Sequence, residues 1–331
     1  MTHGSTMWAA VVERKDGLFR TVEVRRPEPA ADELLVRIRA SGVNPLDAKI
    51  RAGMAEHARQ PLPAILGLDL AGTVAAVGEG VTNFRVGDDV YGMTGGVGGH
   101  QGSLAEYAAV DARLVARKPR NLTMREAASL PLVFITAWEG LVDRAQVRAD
   151  HKVLVQGGSG GVGHVTVQIA RSFGAEVYAT ASAAKAGYIR SLGATPIDYA
   201  SESVEQYVKR CTEGRGFDLV YDTGGGKVLD ASFVAVRRFG HVVSCLGWGQ
   251  HALAPLSFKG GTYSGVFTLL PLLSGEGREH HGEIMLEATR LVEQGKLRPL
   301  LDDRTFDLAS VASAHETLVD GRARGKLVID I

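Results

Sequence analysis

Lys152-Val153-Leu154-Val155-Gln156 runs straight into Gly157-Gly158-Ser159-Gly160-Gly161-Val162-Gly163, and Val162, Val165, Ile169, Ala170 and Phe173 then recur at the spacing of one helix face. A buried-strand run, a glycine-rich turn and an amphipathic helix in that order open a βαβ unit. Within the turn, Gly158, Gly160 and Gly163 form G-x-G-x-x-G, a pattern that lets the backbone approach a dinucleotide pyrophosphate. The first glycine permits the tight turn, the second admits N–H groups to the phosphates, and the third packs helix on strand. The helix N-terminus adds its partial positive charge. In a chain of 331 residues with 41 glycines the motif alone says little; its place between strand and helix carries the reading.

The alternation continues outward: strands at residues 176–180, 217–221 and 241–245, and helices near 185–192, 204–211 and 227–236. This predicts a parallel sheet. The second strand ends Thr180-Ala181-Ser182-Ala183-Ala184-Lys185, with no acid where an NAD-binding chain grips its ribose. A hydroxyl and an ammonium there suit a 2′-phosphate, so NADP(H) is expected, with Ser182 and Lys185 as contacts. The alternative for Lys185 is an ordinary solvated helix lysine.

Upstream, the first 120 residues read as β: Val11-Val12, residues 34–38, 72–77 and 107–110 are short apolar runs between Gly, Pro, Asn and Asp clusters. Charged positions within this half show no clustering in the sequence. Downstream of 271, Ile284, Ala288, Leu291 and Val292 mark a helix stopped at Gly295, and residues 326–329 are extended. We expect a discontinuous first domain: 1–128 and 272–331 around a nucleotide-binding domain at 129–271. The fold class is therefore α/β, a Rossmann domain beside a β-rich one. Residues 95–102 read as a mobile lid or a tolerated surface insertion.

Composition narrows the function classes. Lys plus Arg is 37 and Asp plus Glu is 37, which leaves no basic footprint for nucleic acid or an anionic membrane. Two cysteines, Cys211 and Cys245, exclude a disulfide scaffold and a four-thiolate zinc site. Met1-Thr2-His3-Gly4-Ser5-Thr6 lacks the basic start and apolar core of a signal peptide, and no run is long enough to span a membrane. A cytoplasmic enzyme is expected.

Seven segments in order resemble the medium-chain dehydrogenase/reductase superfamily, in its zinc-free quinone oxidoreductase (zeta-crystallin-like) branch. They are Ser41-Gly42-Val43-Asn44-Pro45-Leu46-Asp47, residues 65–74, Gly102-Ser103-Leu104-Ala105-Glu106-Tyr107, residues 127–131 with Thr136-Ala137-Trp138, the glycine motif, Leu192-Gly193-Ala194 and Asp222-Thr223-Gly224-Gly225. The resemblance implies a GroES-like catalytic domain built from both ends of the sequence. It implies cofactor contacts at Thr136, Gly158, Ser159, Gly160, Gly161, Val162, Gly163, Ser182, Lys185, Tyr199, Leu246 and Phe267. Asn44 matches the family's active-site Asn, a donor toward a substrate oxygen; the alternative is a turn residue before Pro45.

Zinc-dependent relatives carry Cys at the place of Asn44 and His-Glu at the place of Leu68-Asp69. They also carry four cysteines near residues 91–110, where this chain has none. His100, His164, His280 and His281 restore no ligand spacing and read as surface or loop histidines. No metal is expected. Without a Lewis acid, the resemblance points to conjugated acceptors, a quinone or an enone, since negative charge spreads onto an oxygen that hydrogen-bond donors stabilise. Typical members place two tyrosines where this chain has Lys49 and Ala55, which makes Lys49 the candidate donor. Trp248 and Phe267 are candidates for an apolar wall. Two other functions stay open: a non-catalytic NADPH-binding or structural protein, and an alcohol dehydrogenase-type oxidoreductase. Residues 262–267 read as the last strand of the sheet, an exposed edge that suits a homodimer.

Overall fold

The computed structural model describes residues 5–331, so Met1-Thr2-His3-Gly4 of the leader reading lie outside it. Two compact units form. One holds the sequence up to Leu132 together with Leu269–Gly295 and Pro299–Ile331; the other holds Val133–Thr268 and Lys296–Arg298.

The second unit is a six-stranded, all-parallel sheet in the order Thr195–Asp198, Glu176–Ala181, Lys152–Gln156, Phe217–Asp222, Val236–Ser244, Thr262–Gly265. The order reverses beside Lys152–Gln156, the switch point at which such sheets bind ligands beyond their carboxyl ends. Helices Gly161–Ser172, Val204–Thr212 and Lys227–Ala235 join the strands. Beneath them, Leu154, Tyr178, Phe217, Val220, Phe233 and Val242 are buried together. Val204–Thr212 starts on a capping box, with Ser203 accepting from the Gln206 N–H and the Gln206 side chain from the Ser203 N–H.

Local signals set most boundaries and missed a few. Thr195–Asp198 carries Pro196 in only four residues and gave no strand signal, yet it forms the sheet's edge. The helix expected at 185 opens with a 3₁₀ turn, Ala183–Lys185, and becomes α-helical at Ala186. The last strand stops at Gly265 rather than running to Phe267.

In the first unit the long strand Glu33–Gly42 pairs along one side with Asp69–Val77. Two strands share its other side: Tyr107–Asp111 along residues 33–37, and Val328–Asp330 along 40–42. Asp89–Met93 and Val115–Arg117 extend the sheet, and Phe306–Asp307 adds to Val328–Asp330. A smaller sheet joins Phe19–Arg25, Thr6–Val12 and Ala64–Ile65. Leu34, Val36, Ile38, Leu70, Val74 and Val90 form the apolar centre.

Two expectations about this unit are corrected. Residues 95–102 are no loose lid. Val97 is fully buried, Gly96 N–H donates to the His100 carbonyl, Gly98 N–H to Ala58 and Gly102 N–H to Ile65. A Cβ on Gly95 would lie 1.9 Å from the Gln101 carbonyl oxygen, and one on Gly96 or Gly102 would also meet backbone, so at these three positions backbone passes against backbone. Nor are all four histidines superficial: His281 is fully buried on helix Arg278–Glu293, and in the other unit His164 is 1% exposed, its Nδ1 3.0 Å from the Gly160 carbonyl oxygen.

Candidate functional site

The glycine turn spans Lys152–Gln156 to Gly161–Ser172. Gly160 caps the helix without a side chain, leaving the first-turn N–H groups open in the way an anion site needs. A Cβ on Gly158 would stand 2.5 Å from Ala179 Cβ, and one on Gly163 would stand 2.1 Å from the Gly157 carbonyl oxygen. Both neighbours are fixed, so helix and turn reach this spacing only with glycine. Ser159 and Val162 are half-buried, and Gly160 and Gly161 are exposed at the mouth. The cradle fits a pyrophosphate.

At the next strand end, Ala181 stands beside Asp198, so Ser182 and Tyr199 emerge as neighbours. Tyr199 is 63% exposed, an aromatic face bare to solvent. Lys185, half-buried, donates its backbone N–H to the Ser182 carbonyl, and among the described residues no side-chain partner holds its ammonium. Asp198 directs a carboxylate oxygen at its own turn, accepting from the Ala200 N–H. The strand end thus presents a hydroxyl, an ammonium and an aromatic ring.

Further along the sheet, Asp222 is fully buried and accepts from Gly224 N–H, Gly225 N–H and Ser244 Oγ–H. It pulls the turn after Phe217–Asp222 against the Leu246 segment; a Cβ on Gly225 would meet the Leu246 carbonyl oxygen at 2.5 Å. Leu246 is half-buried and donates its N–H to Ser244 Oγ. Phe267 stands edge-on to Trp248, ring centroids 6.2 Å apart. Thr136 lies on helix Pro131–Trp138 with its hydroxyl 3.1 Å from that of Thr268, and its carbonyl accepts from Tyr221 O–H. Burial pushes the Cys245 thiol up to about 12, so it is no nucleophile.

The first unit supplies a buried polar group that sequence reading missed. Asn44, the cap of helix Pro45–Arg51, is fully buried. Its Nδ2 donates to Asp69 Oδ2 at 2.9 Å, its Oδ1 accepts from Lys326 Nζ, and its N–H donates to Asp47 Oδ2 at 2.8 Å. Lys326 also donates to the Val43 carbonyl, and Asp69 Oδ1 accepts from Leu132 N–H. Burial raises the Asp47 carboxyl to about 7 and Asp69 to about 6, against the downward pull of Lys326; burial likewise lowers the Lys326 ammonium.

Charges from Asp47, Asp69 and Lys326 therefore do cluster, across sequence separations no local pattern reveals. Asn44 is engaged at both ends of its amide inside the unit, Nδ2 on Asp69 and Oδ1 on Lys326, and so ties these buried charges together. Lys49, on the same short helix, is exposed and joins none of these groups.

Comparison with known proteins places this geometry. Residues 30–120 match the family described as alcohol dehydrogenase GroES-like domain, and residues 192–329 match zinc-binding dehydrogenase. The chain is 37% identical over 311 residues to 2-methylene-furan-3-one reductase of Solanum lycopersicum, which covers 92% of this chain and 73% of that protein. The chain belongs to the medium-chain dehydrogenase/reductase superfamily. It is 35% identical, over the same shares of the two chains, to a chloroplastic NADPH-dependent alkenal/one oxidoreductase of Arabidopsis thaliana. A crystal structure of an alcohol dehydrogenase superfamily protein from Novosphingobium aromaticivorans is 63% identical, with TM-score 0.97 over 98% of this chain and 100% of the other. The two units are the GroES-like and Rossmann-type domains of this superfamily, and the chain is an oxidoreductase.

A zinc ion does not fit the residues present. Where zinc-dependent members place ligands, this medium-chain dehydrogenase/reductase has an amide, a leucine and a carboxylate, with the Lys326 ammonium already bonded to that amide. A second cation beside it would be repelled. Among the described residues no group of three His, Cys, Asp or Glu side chains is arranged to hold a metal. No described helix is long and apolar enough to cross a membrane.

Proposed function

We propose that this chain is a zinc-independent, NADPH-dependent reductase of α,β-unsaturated ketones and aldehydes, with quinones as related acceptors. The observation that carries the reading is Lys326, a cation of the chain's own bonded to Asn44, the position at which the resemblance puts a zinc ligand of the zinc-dependent members. The reaction then favours acceptors whose charge is spread by conjugation. Relatives named for a methylene-furanone and for alkenals and enones support it. NADPH supplies the hydride when bound. The residues of the glycine turn bind its pyrophosphate, Ser182 and Lys185 its 2′-phosphate, and Tyr199 stacks at the adenine end. Lys49, exposed and with no side-chain partner among the described residues, is the candidate proton donor to substrate oxygen. The test is NADPH oxidation with a panel of enones, alkenals, quinones and saturated aldehydes, before and after chelator treatment. Turnover confined to saturated aldehydes, or abolished by chelation, would sink the reading.

Two expected outcomes attach to it. Lys185→Ala should weaken NADPH about tenfold to a hundredfold, the loss of one charge-assisted hydrogen bond, and leave NADH unchanged. Nucleotide titration reads both, and equal weakening refutes the assignment. The second concerns assembly. Among the described residues Thr262–Gly265 has a sheet neighbour on one side only, and Tyr263 lies on this edge, 37% exposed. A two-fold pairing of such edges satisfies both at once. Light scattering should give twice the 35.2 kDa chain mass; a monomer at micromolar concentration rejects the dimer.

A further inference from the structure

One peptide plane in the nucleotide unit is held at both ends by hydroxyls from different strands. The Gln156–Gly157 peptide closes strand Lys152–Gln156 and starts the glycine turn, where Gly157 takes a left-handed φ of 74°. Its N–H donates to Thr180 Oγ at 2.9 Å; its carbonyl accepts from Thr223 Oγ–H at 2.6 Å. Thr180 lies on the strand to one side and Thr223 just beyond the strand on the other.

The Thr180 bond is itself directed. Its hydroxyl proton goes to Gln156 Oε1 at 2.9 Å, which leaves an oxygen lone pair to receive the Gly157 N–H. Gln156 and Thr180 are each 4% exposed, so the hydroxyl–amide bond between them is shielded from solvent. The backbone adds a third tie, Gly158 N–H to the Thr180 carbonyl at 2.9 Å. Thr223 also stands close: a Cβ on Gly157 would lie 2.7 Å from its Oγ.

We propose that Thr180 and Thr223 are positioning residues that preset the phosphate-binding turn, so the cofactor meets amides already aimed and binds without ordering them. A Gln156–Gly157 peptide free to rotate would let the turn that follows it shift, and the N–H groups at the start of helix Gly161–Ser172 would lose their aim. The residues touch no reacting atom, so their effect falls on cofactor affinity and not on the chemical step. The inference rests on the NADPH-binding reading above and concerns its energetics.

The test compares Thr180→Val and Thr223→Val with Thr180→Ser and Thr223→Ser, which keep the hydroxyl. Thr212→Val is the control: Thr212 is 1% exposed in the same unit, and its hydroxyl bonds Val208 and Gly216 far from the turn. NADPH dissociation constants come from cofactor fluorescence, KM and kcat from turnover, and melting temperatures from protein without nucleotide. Each valine variant should raise the NADPH dissociation constant and KM about fivefold to tenfold, with kcat within twofold. The serine variants should recover wild-type affinity, and Thr212→Val should lower the melting temperature while binding NADPH normally. Valine variants with wild-type affinity overturn the proposal. So does a parallel loss of affinity, kcat and melting temperature that serine does not restore. If the wild type binds NADPH but reduces no conjugated carbonyl, the functional reading falls and the positioning result stands on its own; a wild type that binds no nucleotide removes both.

Discussion

Lys326→Met should destabilise the protein by about 3–5 kcal/mol at pH 8, the usual loss when one partner leaves a buried charge group. The ammonium is the only cation bonded to Asn44 among the described residues, and it offsets the fully buried Asp47 and Asp69. The loss should shrink in acid, for a reason that can be followed in sign. Both carboxyls titrate higher folded, at about 7 and about 6, than unfolded, near 3.9. The native state therefore keeps protons that the unfolded chain has released. Their stabilising contribution is complete below pH 4 and is lost as pH rises through 6 and 7. At pH 5 a proton can replace the missing ammonium; at pH 8 nothing does. Urea unfolding of both proteins at the two pH values measures the difference. His315, lowered to about 4 by burial, titrates in both proteins and cancels. An equal loss at pH 5 and pH 8 would show that the group does not share protons as its geometry requires.

The second large effect is expected from Gly163→Ala. The added methyl would meet the Gly157 carbonyl oxygen at 2.1 Å and Gly158 Cα at 2.9 Å, both backbone, with no flexible side chain to yield. Helix Gly161–Ser172 must retreat, and its open N–H groups retreat with it. Overpacking of about 1–3 kcal/mol corresponds to roughly a tenfold to hundredfold loss of NADPH affinity when the displaced element is the binding element. Gly187→Ala is the control, because a Cβ there meets nothing within 4 Å. Fluorescence titration should separate the two variants. Wild-type affinity in Gly163→Ala would mean that the helix can shift without moving the phosphate site.

How much of this was legible in the sequence follows from range. The nucleotide unit announces itself locally, since a strand run, a glycine turn and a helix face lie consecutively between residues 152 and 173. Ser182 and Lys185 are proposed by the same logic, one strand on. The buried group of Asn44, Asp69 and Lys326 is different, because its members meet only through sheet pairing. The sequence shows only that Asp69 and Lys326 border apolar runs, a pattern that strands with one exposed face share. The glycines of residues 95–102 misled for a related reason. Their bonding partners are Ala58 and Ile65, and pattern reading sees glycine density but not what the backbone approaches.

The strand Val328–Asp330 completes the side of Glu33–Gly42, and Lys326 just before it closes the charge group around Asn44. On a ribosome these residues emerge after the whole of Val133–Thr268. The Rossmann-type unit can therefore fold during synthesis while the earlier-made unit waits, its Asp47 and Asp69 without their cation. The usual order, in which the part made first folds first, is inverted. A stalled nascent chain released before residue 326 should protect its nucleotide-binding half from protease and leave residues 5–132 open to cleavage.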